Sequence, residues 1–159
     1  MIKIGIGYDI HRLVEDRKLF LGGIEIPYIK GLISYTDGDV VLHAIADAIL
    51  GALAVGDIGQ HFPDSDPGYK DMPSEDILQT VTRILAEKGF TIGNIDTSII
   101  AEEPKIYPFK DKMTEKIAAI LGVNRSKVNV KATTNEGVGS LGRGDAIAAY
   151  AVAIIESKT

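Results

Sequence analysis

Ile2, Ile4, Ile6, Tyr8 and Ile10 alternate with Lys3, Gly5, Gly7, Asp9 and His11. A period of two marks a strand, so the chain is expected to open on a strand with one apolar face. The other face carries two glycines and then Asp9 and His11, which point together because residues two apart share a side. Glycine weakens a strand and marks a place where another segment or a ligand comes close. Arg12 to Lys18 reads as a charged loop. Gly22-Gly23 between apolar stretches reads as a hairpin turn, and Pro27 closes it at a sheet edge. Tyr28 to Thr36 has no period and is expected to be irregular.

From Asp37 the period changes. Val40, Val41, Ala44, Ile45, Ala48, Ile49, Ala52 and Leu53 repeat at helical spacing, with an aspartate of Asp37-Gly38-Asp39 as N-cap. His43 lies in this helix and shares a face with Asp47, four residues on. Asp47 is either a carboxylate that orients His43 or an exposed one. Gly56 to Gly68 is a long loop of Gly, Pro and Asp, a length that is usually functional or mobile. His61 within it has no partner at ligand spacing. Ser74 is the expected cap of a second helix with an Ile77, Leu78, Val81, Ile84, Leu85 stripe, ended by Gly89. A strand is expected within Thr91 to Ala101, and then a helix carrying Met113, Ile117, Ile120 and Leu121 that stops at Gly122. Val128 to Ala132 reads as a strand, Asn135 to Asp145 as a glycine-rich loop, and Ala146 to Ile155 as a buried last strand. The order predicts an α+β fold over 1–159 as one domain, with helices layered on one sheet beside an N-terminal β-hairpin region.

Composition narrows the chemistry. There are no cysteines, so thiolate metal sites and disulfides are excluded, and any zinc must be held by His, Asp or Glu. The net charge is −5 with no dense basic run, which argues against a nucleic-acid partner. No apolar run is long enough to span a bilayer and the start is unlike a signal peptide, so no membrane partner and a cytoplasmic location are expected. An acidic chain that handles phosphate needs local positive charge, which metal ions supply.

Asp9, His11 and His43 make two imidazoles and one carboxylate, the ligand set of a catalytic zinc site with its fourth position open. A second stretch, Ala132-Thr133-Thr134-Asn135-Glu136-Gly137, offers two hydroxyls and glycine amides as a phosphate cradle. Glu136 suits a hard cation, Mg2+ or Mn2+, that shares its shell with phosphate oxygens. Arg143 either binds an anion or pairs with Asp145. No residue suggests itself as a nucleophile, so the attacking group belongs to the substrate or to water. That favours phosphoryl chemistry carried by metals.

Gly7-Tyr8-Asp9-Ile10-His11, Asp37-Gly38-Asp39-Val40-Val41-Leu42-His43, Gly56-Asp57-Ile58-Gly59 with Phe62-Pro63-Asp64, Ala101 to Lys105, Val130 to Thr134 with Glu136, and Gly142-Arg143-Gly144 occur in one order along the chain. In that order and spacing the sequence resembles the 2-C-methyl-D-erythritol 2,4-cyclodiphosphate synthase family of the non-mevalonate isoprenoid pathway. The resemblance implies a cytidine diphosphate ester substrate whose own 2-phosphate attacks the β-phosphorus and releases CMP. It implies Zn2+ on Asp9, His11 and His43, and Mg2+ or Mn2+ on Glu136. Thr134 matches the hydroxyl that steadies the transition state. Ala101, Lys105, Ile106, Tyr107, Ala132 and Thr133 match the cytidine pocket. Asp57, Ile58, Gly59, Phe62 and Asp64 match a mobile loop over the methylerythritol, and Thr36 matches a substrate-binding hydroxyl. The resemblance also implies a mainly four-stranded sheet with helices on one face, and a homotrimer with active sites between subunits. The chain departs from the family's pattern at Tyr35, where a histidine credited with a transition-state role is usual. It departs again at Ser140, where a phenylalanine lines an apolar cavity on the trimer axis that Arg143 closes, and Asp145 stands where glutamate is commoner. Two other functions fit parts of the pattern: a metal-dependent phosphohydrolase acting on a nucleotide diphosphate ester, and a zinc-stabilised trimer that only binds nucleotide or isoprenoid diphosphate.

Overall fold

The computed structural model describes residues 1–158. The opening strand, β1 (Ile2–Glu15), runs past His11 through the stretch expected to be a charged loop. Its extension is held by β4 (Lys30–Leu32), which lies in the segment expected to be irregular and pairs Leu13 with Leu32 and Val14 with Gly31. Gly31 is required there, because a Cβ would sit 2.1 Å from the Lys18 carbonyl oxygen. That short edge strand makes the main sheet five-stranded instead of four-stranded, in the order β4, β1, β7 (Ala146–Ser157), β5 (Phe90–Ile100) and β6 (Val128–Thr133). β7 runs antiparallel between β1 and β5, and β5 pairs in parallel with β6. A parallel pair needs a crossover, and α4 (Lys110–Leu121) supplies it. β2 (Leu19–Leu21) and β3 (Ile24–Ile26) form the expected hairpin around Gly22-Gly23 as a separate two-stranded sheet.

The long helices are α1 (Val40–Leu53), α3 (Ser74–Glu87) and α4. Asp39, not Asp37, caps α1, accepting from the Val41 and Leu42 amides. It also accepts from the Gly22 and Gly23 amides, so one buried carboxylate ties the hairpin turn to the start of α1. Burial raises its pKa, against the hydrogen bonds that favour the charged form. Ser74 does not cap α3; Pro73 is its N-cap, and the Ser74 hydroxyl turns inward. Short helices α2 (Ile58–His61) and α5 (Gly139–Gly142) stand inside the two expected loops. Among the described residues no helix is long and apolar enough to cross a membrane.

The glycines of β1 decide how the layers meet. A Cβ on Gly5 would lie 1.9 Å from the Ala48 carbonyl oxygen of α1, and one on Gly7 would lie 1.9 Å from that of Ala44. Without side chains there, α1 lies directly on the strand backbone, which is the close approach these residues foreshadow. The core fills the helix side of the sheet, with Leu42, Ile45, Ile49, Ile147 and Ile155 fully buried. Each such side chain contributes roughly 1.5–3 kcal/mol. The apolar residues of β1 point the other way: Ile2, Ile4 and Ile6 remain 66–68% exposed. Tyr8, Ile10 and the Tyr150 and Val152 side chains of β7 extend this surface, so β7 is buried on one face and not throughout.

Candidate active site

The face of β1 that carries Gly5 and Gly7 continues to Asp9 and His11, and α1 brings His43 down beside them. His43 precedes Ala44, whose carbonyl touches Gly7, so the glycine contact sets the spacing of the cluster. His43 Nδ1 lies 2.8 Å from Asp9 Oδ2, and His11 Nε2 lies 3.0 Å from the same oxygen. The two imidazoles stand edge to face at 5.6 Å between centroids. One ligand atom from each residue falls within 4.8 Å of the others. His11 Nε2 is buried, yet it makes no hydrogen bond among the described residues, because it is close to Asp9 without being aligned. Two nitrogens, one of them buried and unpartnered, and one carboxylate oxygen converge in a way that fits a divalent cation.

Electrostatics agree with the geometry. Burial raises the Asp9 pKa, but the two imidazoles beside it outweigh burial and leave it at about 2. Burial lowers that of His43, and is overcome by Asp9 first and then by Asp39 and Asp37, so the net direction is upward. In the metal-free chain Asp9 is therefore a firm anion facing a ring that favours its proton.

Behind the cluster, His43 Nε2 is 2.7 Å from Ser74 Oγ and 3.1 Å from Thr36 Oγ1. The Ser74 hydroxyl donates to Asp37 Oδ1 in turn. Asp47 does not orient His43; its Oδ1 accepts from the Ile58 amide at 3.0 Å and so holds the start of α2. Arg17 donates to the carbonyls of Leu32 and Thr36, both at 2.6 Å, and fixes the segment that carries Tyr35 and Thr36. Tyr35 donates its hydroxyl hydrogen to the Asp66 carbonyl at 3.1 Å, which ties the following loop to the site. Sequence reasoning missed Ser74, Asp37 and Arg17. A hydroxyl at a helix start reads as a cap, and only the tertiary contact reveals otherwise.

The cluster opens into a cleft of about 340 Å³ whose walls include Tyr35, Thr36, Ile58, Gly59, Phe62 and Asp64. Asp57 stays out of it and caps α2 by accepting from the Gln60 amide. His61 lies in α2, with its Nε2 2.9 Å from the Val55 carbonyl oxygen. A second cleft, about 160 Å³, gathers Ala101, Lys105, Ile106, Tyr107, Ala132, Thr133 and Thr134 at the end of β5 and β6. Glu136 follows on an exposed turn, with its amide donating to Thr134 Oγ1 at 3.2 Å, and is not part of the three-residue cluster. Arg143 and Ser140 border a third hollow near Arg12 and Lys30, where Arg143 pairs with Asp145 at 3.1 Å.

The first two clefts lie on one row of the sheet. Asp9 pairs with Ala149, Ala149 with Ile99, and Ile99 with Ala132. Three strand spacings separate Asp9 from Ala132, about 14 Å.

An α+β sheet with an open carboxylate–diimidazole cluster beside a cleft of mixed lining has the form of an enzyme with a divalent-metal site. The chain belongs to the YgbB family, whose model matches residues 2–156. It is 56% identical over 151 residues to the 2-C-methyl-D-erythritol 2,4-cyclodiphosphate synthase of Alkaliphilus metalliredigens, covering 95% of each chain. It is 54% identical over 157 residues to the synthase of that name from Geobacter sulfurreducens, covering 99% of this chain and all of the other. Among solved structures, IspF of Plasmodium falciparum in a CDP complex superposes with a TM-score of 0.87 at 35% identity, over 99% of this chain and 97% of that one. The bifunctional IspDF of Campylobacter jejuni gives a TM-score of 0.96 at 38% identity over 99% of this chain, which spans 43% of that longer protein.

Proposed function

We infer that this enzyme converts 4-diphosphocytidyl-2-C-methyl-D-erythritol 2-phosphate into 2-C-methyl-D-erythritol 2,4-cyclodiphosphate and CMP. The convergence of Asp9, His11 and His43 carries the reading. An oxygen of the substrate's 2-phosphate forms a bond to the β-phosphorus, the bond from the β-phosphorus to the bridging oxygen breaks, and CMP leaves with that oxygen. No protein nucleophile is needed, which agrees with a site that offers none.

The donor set fits Zn2+ on Asp9, His11 and His43, and one carboxylate, Glu136, fits Mg2+ or Mn2+ shared with phosphate oxygens. When bound, these ions neutralise phosphate charge and polarise the reacting phosphorus. The chain's residues hold the substrate in line. Thr36, Ile58, Gly59, Phe62 and Asp64 enclose the methylerythritol, with Asp57 keeping α2 in shape. Ala101, Lys105, Ile106, Tyr107, Ala132 and Thr133 receive the cytidine, and the Thr134 hydroxyl meets charge that develops at phosphorus.

We assign the working form as a homotrimer. The apolar outer face of β1 and β7 is large for a free surface. The two clefts that would hold the two ends of one substrate stand about 14 Å apart on a single chain. Association through the outer face lets the cytidine cleft of one chain serve the metal cluster of its neighbour.

The test is turnover of the cytidine substrate with zinc and magnesium in oxygen-18 water. The cyclase releases CMP and one cyclic product, seen by phosphorus NMR, with no label incorporated. His43→Ala lowers the rate at least about 100-fold. Labelled linear phosphates would instead establish the phosphohydrolase.

A further inference from the structure

We propose that Ser74 is a positioning residue of the metal cluster: it links the Asp37 carboxylate to His43 Nε2, and so turns the lone pair of His43 Nδ1 toward Asp9 and His11. Ser74 is fully buried, and its oxygen touches Asp37 Oδ1 on one side and His43 Nε2 on the other. A carboxylate only accepts, and a hydroxyl has one hydrogen to give. That hydrogen goes to Asp37. The Ser74 oxygen must then accept from His43, which places a hydrogen on Nε2. With a cation in the cluster the imidazole is neutral and carries only that hydrogen, so Nδ1 presents its lone pair; without the cation a hydrogen fills the 2.8 Å gap to Asp9 Oδ2. Nδ1 is the atom that faces Asp9 Oδ2, at 2.8 Å.

The acceptor end of the relay is itself pinned. Asp37 Oδ2 accepts from the Ser74 amide at 2.9 Å, and Oδ1 accepts from the Asp39 amide at 3.1 Å. Thr36 Oγ1 stands 3.1 Å from the same Nε2 and is a second acceptor for its hydrogen. The relay therefore joins the first residue of α3 to the turn before α1, and fixes both the tautomer and the rotation of the His43 ring. Ligating histidines donate their other N–H to an oxygen in this way, usually to a carboxylate or carbonyl. Here the carboxylate acts through a serine. Without Ser74 only the longer contact to Thr36 Oγ1 holds that hydrogen, so the ring is fixed less firmly in the orientation that presents Nδ1.

The proposal rests on reading Asp9, His11 and His43 as a metal site, and the experiment separates the two claims. Zinc binding to the full chain is measured by competition with a chromophoric chelator, and the ring nitrogens of the zinc-loaded chain are read in long-range proton–nitrogen spectra. Wild type binds zinc, His43→Ala loses it, and the wild-type spectrum shows His43 metallated at Nδ1 with hydrogen on Nε2. Ser74→Ala weakens zinc binding by about 10–100-fold, and its Nε2 hydrogen exchanges faster with water. Unchanged zinc affinity in Ser74→Ala overturns the proposal and leaves the metal site intact. A wild-type ring metallated at Nε2 overturns it too, and needs no variant to fold. Wild type that binds no more zinc than His43→Ala removes the metal reading itself, and the relay with it.

Discussion

Asp9 and His43 give the metal-free chain a pH signature. The Asp9 pKa falls from 3.8 to about 2 on folding, so its contribution is present above 3.8 and is lost as pH falls through about 2. That of His43 rises above 6.5, so its contribution is complete below 6.5 and is lost as pH climbs through the raised value. The metal-free chain is therefore expected to melt at lower temperature as pH rises above 6.5. Zinc acts in the opposite sense, because protons and the cation compete for the same imidazole nitrogen. The gap between zinc-loaded and metal-free melting temperatures should widen over that range. Differential scanning calorimetry reads both curves, and a metal-free midpoint that climbs above pH 7 would contradict this account. Tyr35 belongs to the same scale. It keeps a hydrogen bond to the Asp66 carbonyl, but a phenol cannot carry the positive charge that a histidine at this position would.

Among the elements, β1 and α1 matter most, and their contact is the most demanding in the molecule. Gly7→Ala would drive a methyl group into the Ala44 carbonyl, with no flexible side chain to yield. A loss of about 3 kcal/mol in urea unfolding is expected, together with weaker zinc binding as Asp9 and His11 part from His43. Stability within about 0.5 kcal/mol of wild type would show that the two layers have slack. Much of this pairing was legible in the sequence: the period of two placed Asp9 with His11, the helical stripe carried His43, and Gly5 and Gly7 announced a close neighbour. What the sequence hid has physical causes. β4 holds only three residues, one of them Gly31, and has no alternation to detect. Ser74 and Asp47 make hydrogen bonds across the tertiary structure, to His43, Asp37 and Ile58, where local rules offer a cap and a helix neighbour. The apolar run of β1 was visible, but a period of two cannot say which face turns inward.

For the whole molecule, that outward face is the test of association. Ile4 and Ile6 are each 68% exposed, so Ile4→Glu with Ile6→Glu should leave the fold of one chain intact. Sedimentation is expected to give a monomer. Turnover of the cytidine substrate should fall at least about 100-fold, while zinc affinity stays within about threefold, since the donors lie on the other face. A variant that sediments as the unaltered chain does, or a monomer that keeps full turnover, would assign the surface another use.

Where Gly5 and Gly7 meet α1, two main chains touch with nothing interposed. The spacing of the backbone positions that carry the donors is thus a property of the scaffold, and the hydrogen bonds behind His43 have only a ring to turn. A frame built this way is expected to stand whether or not an ion occupies the centre, so that loading it would not require the surrounding layers to come apart.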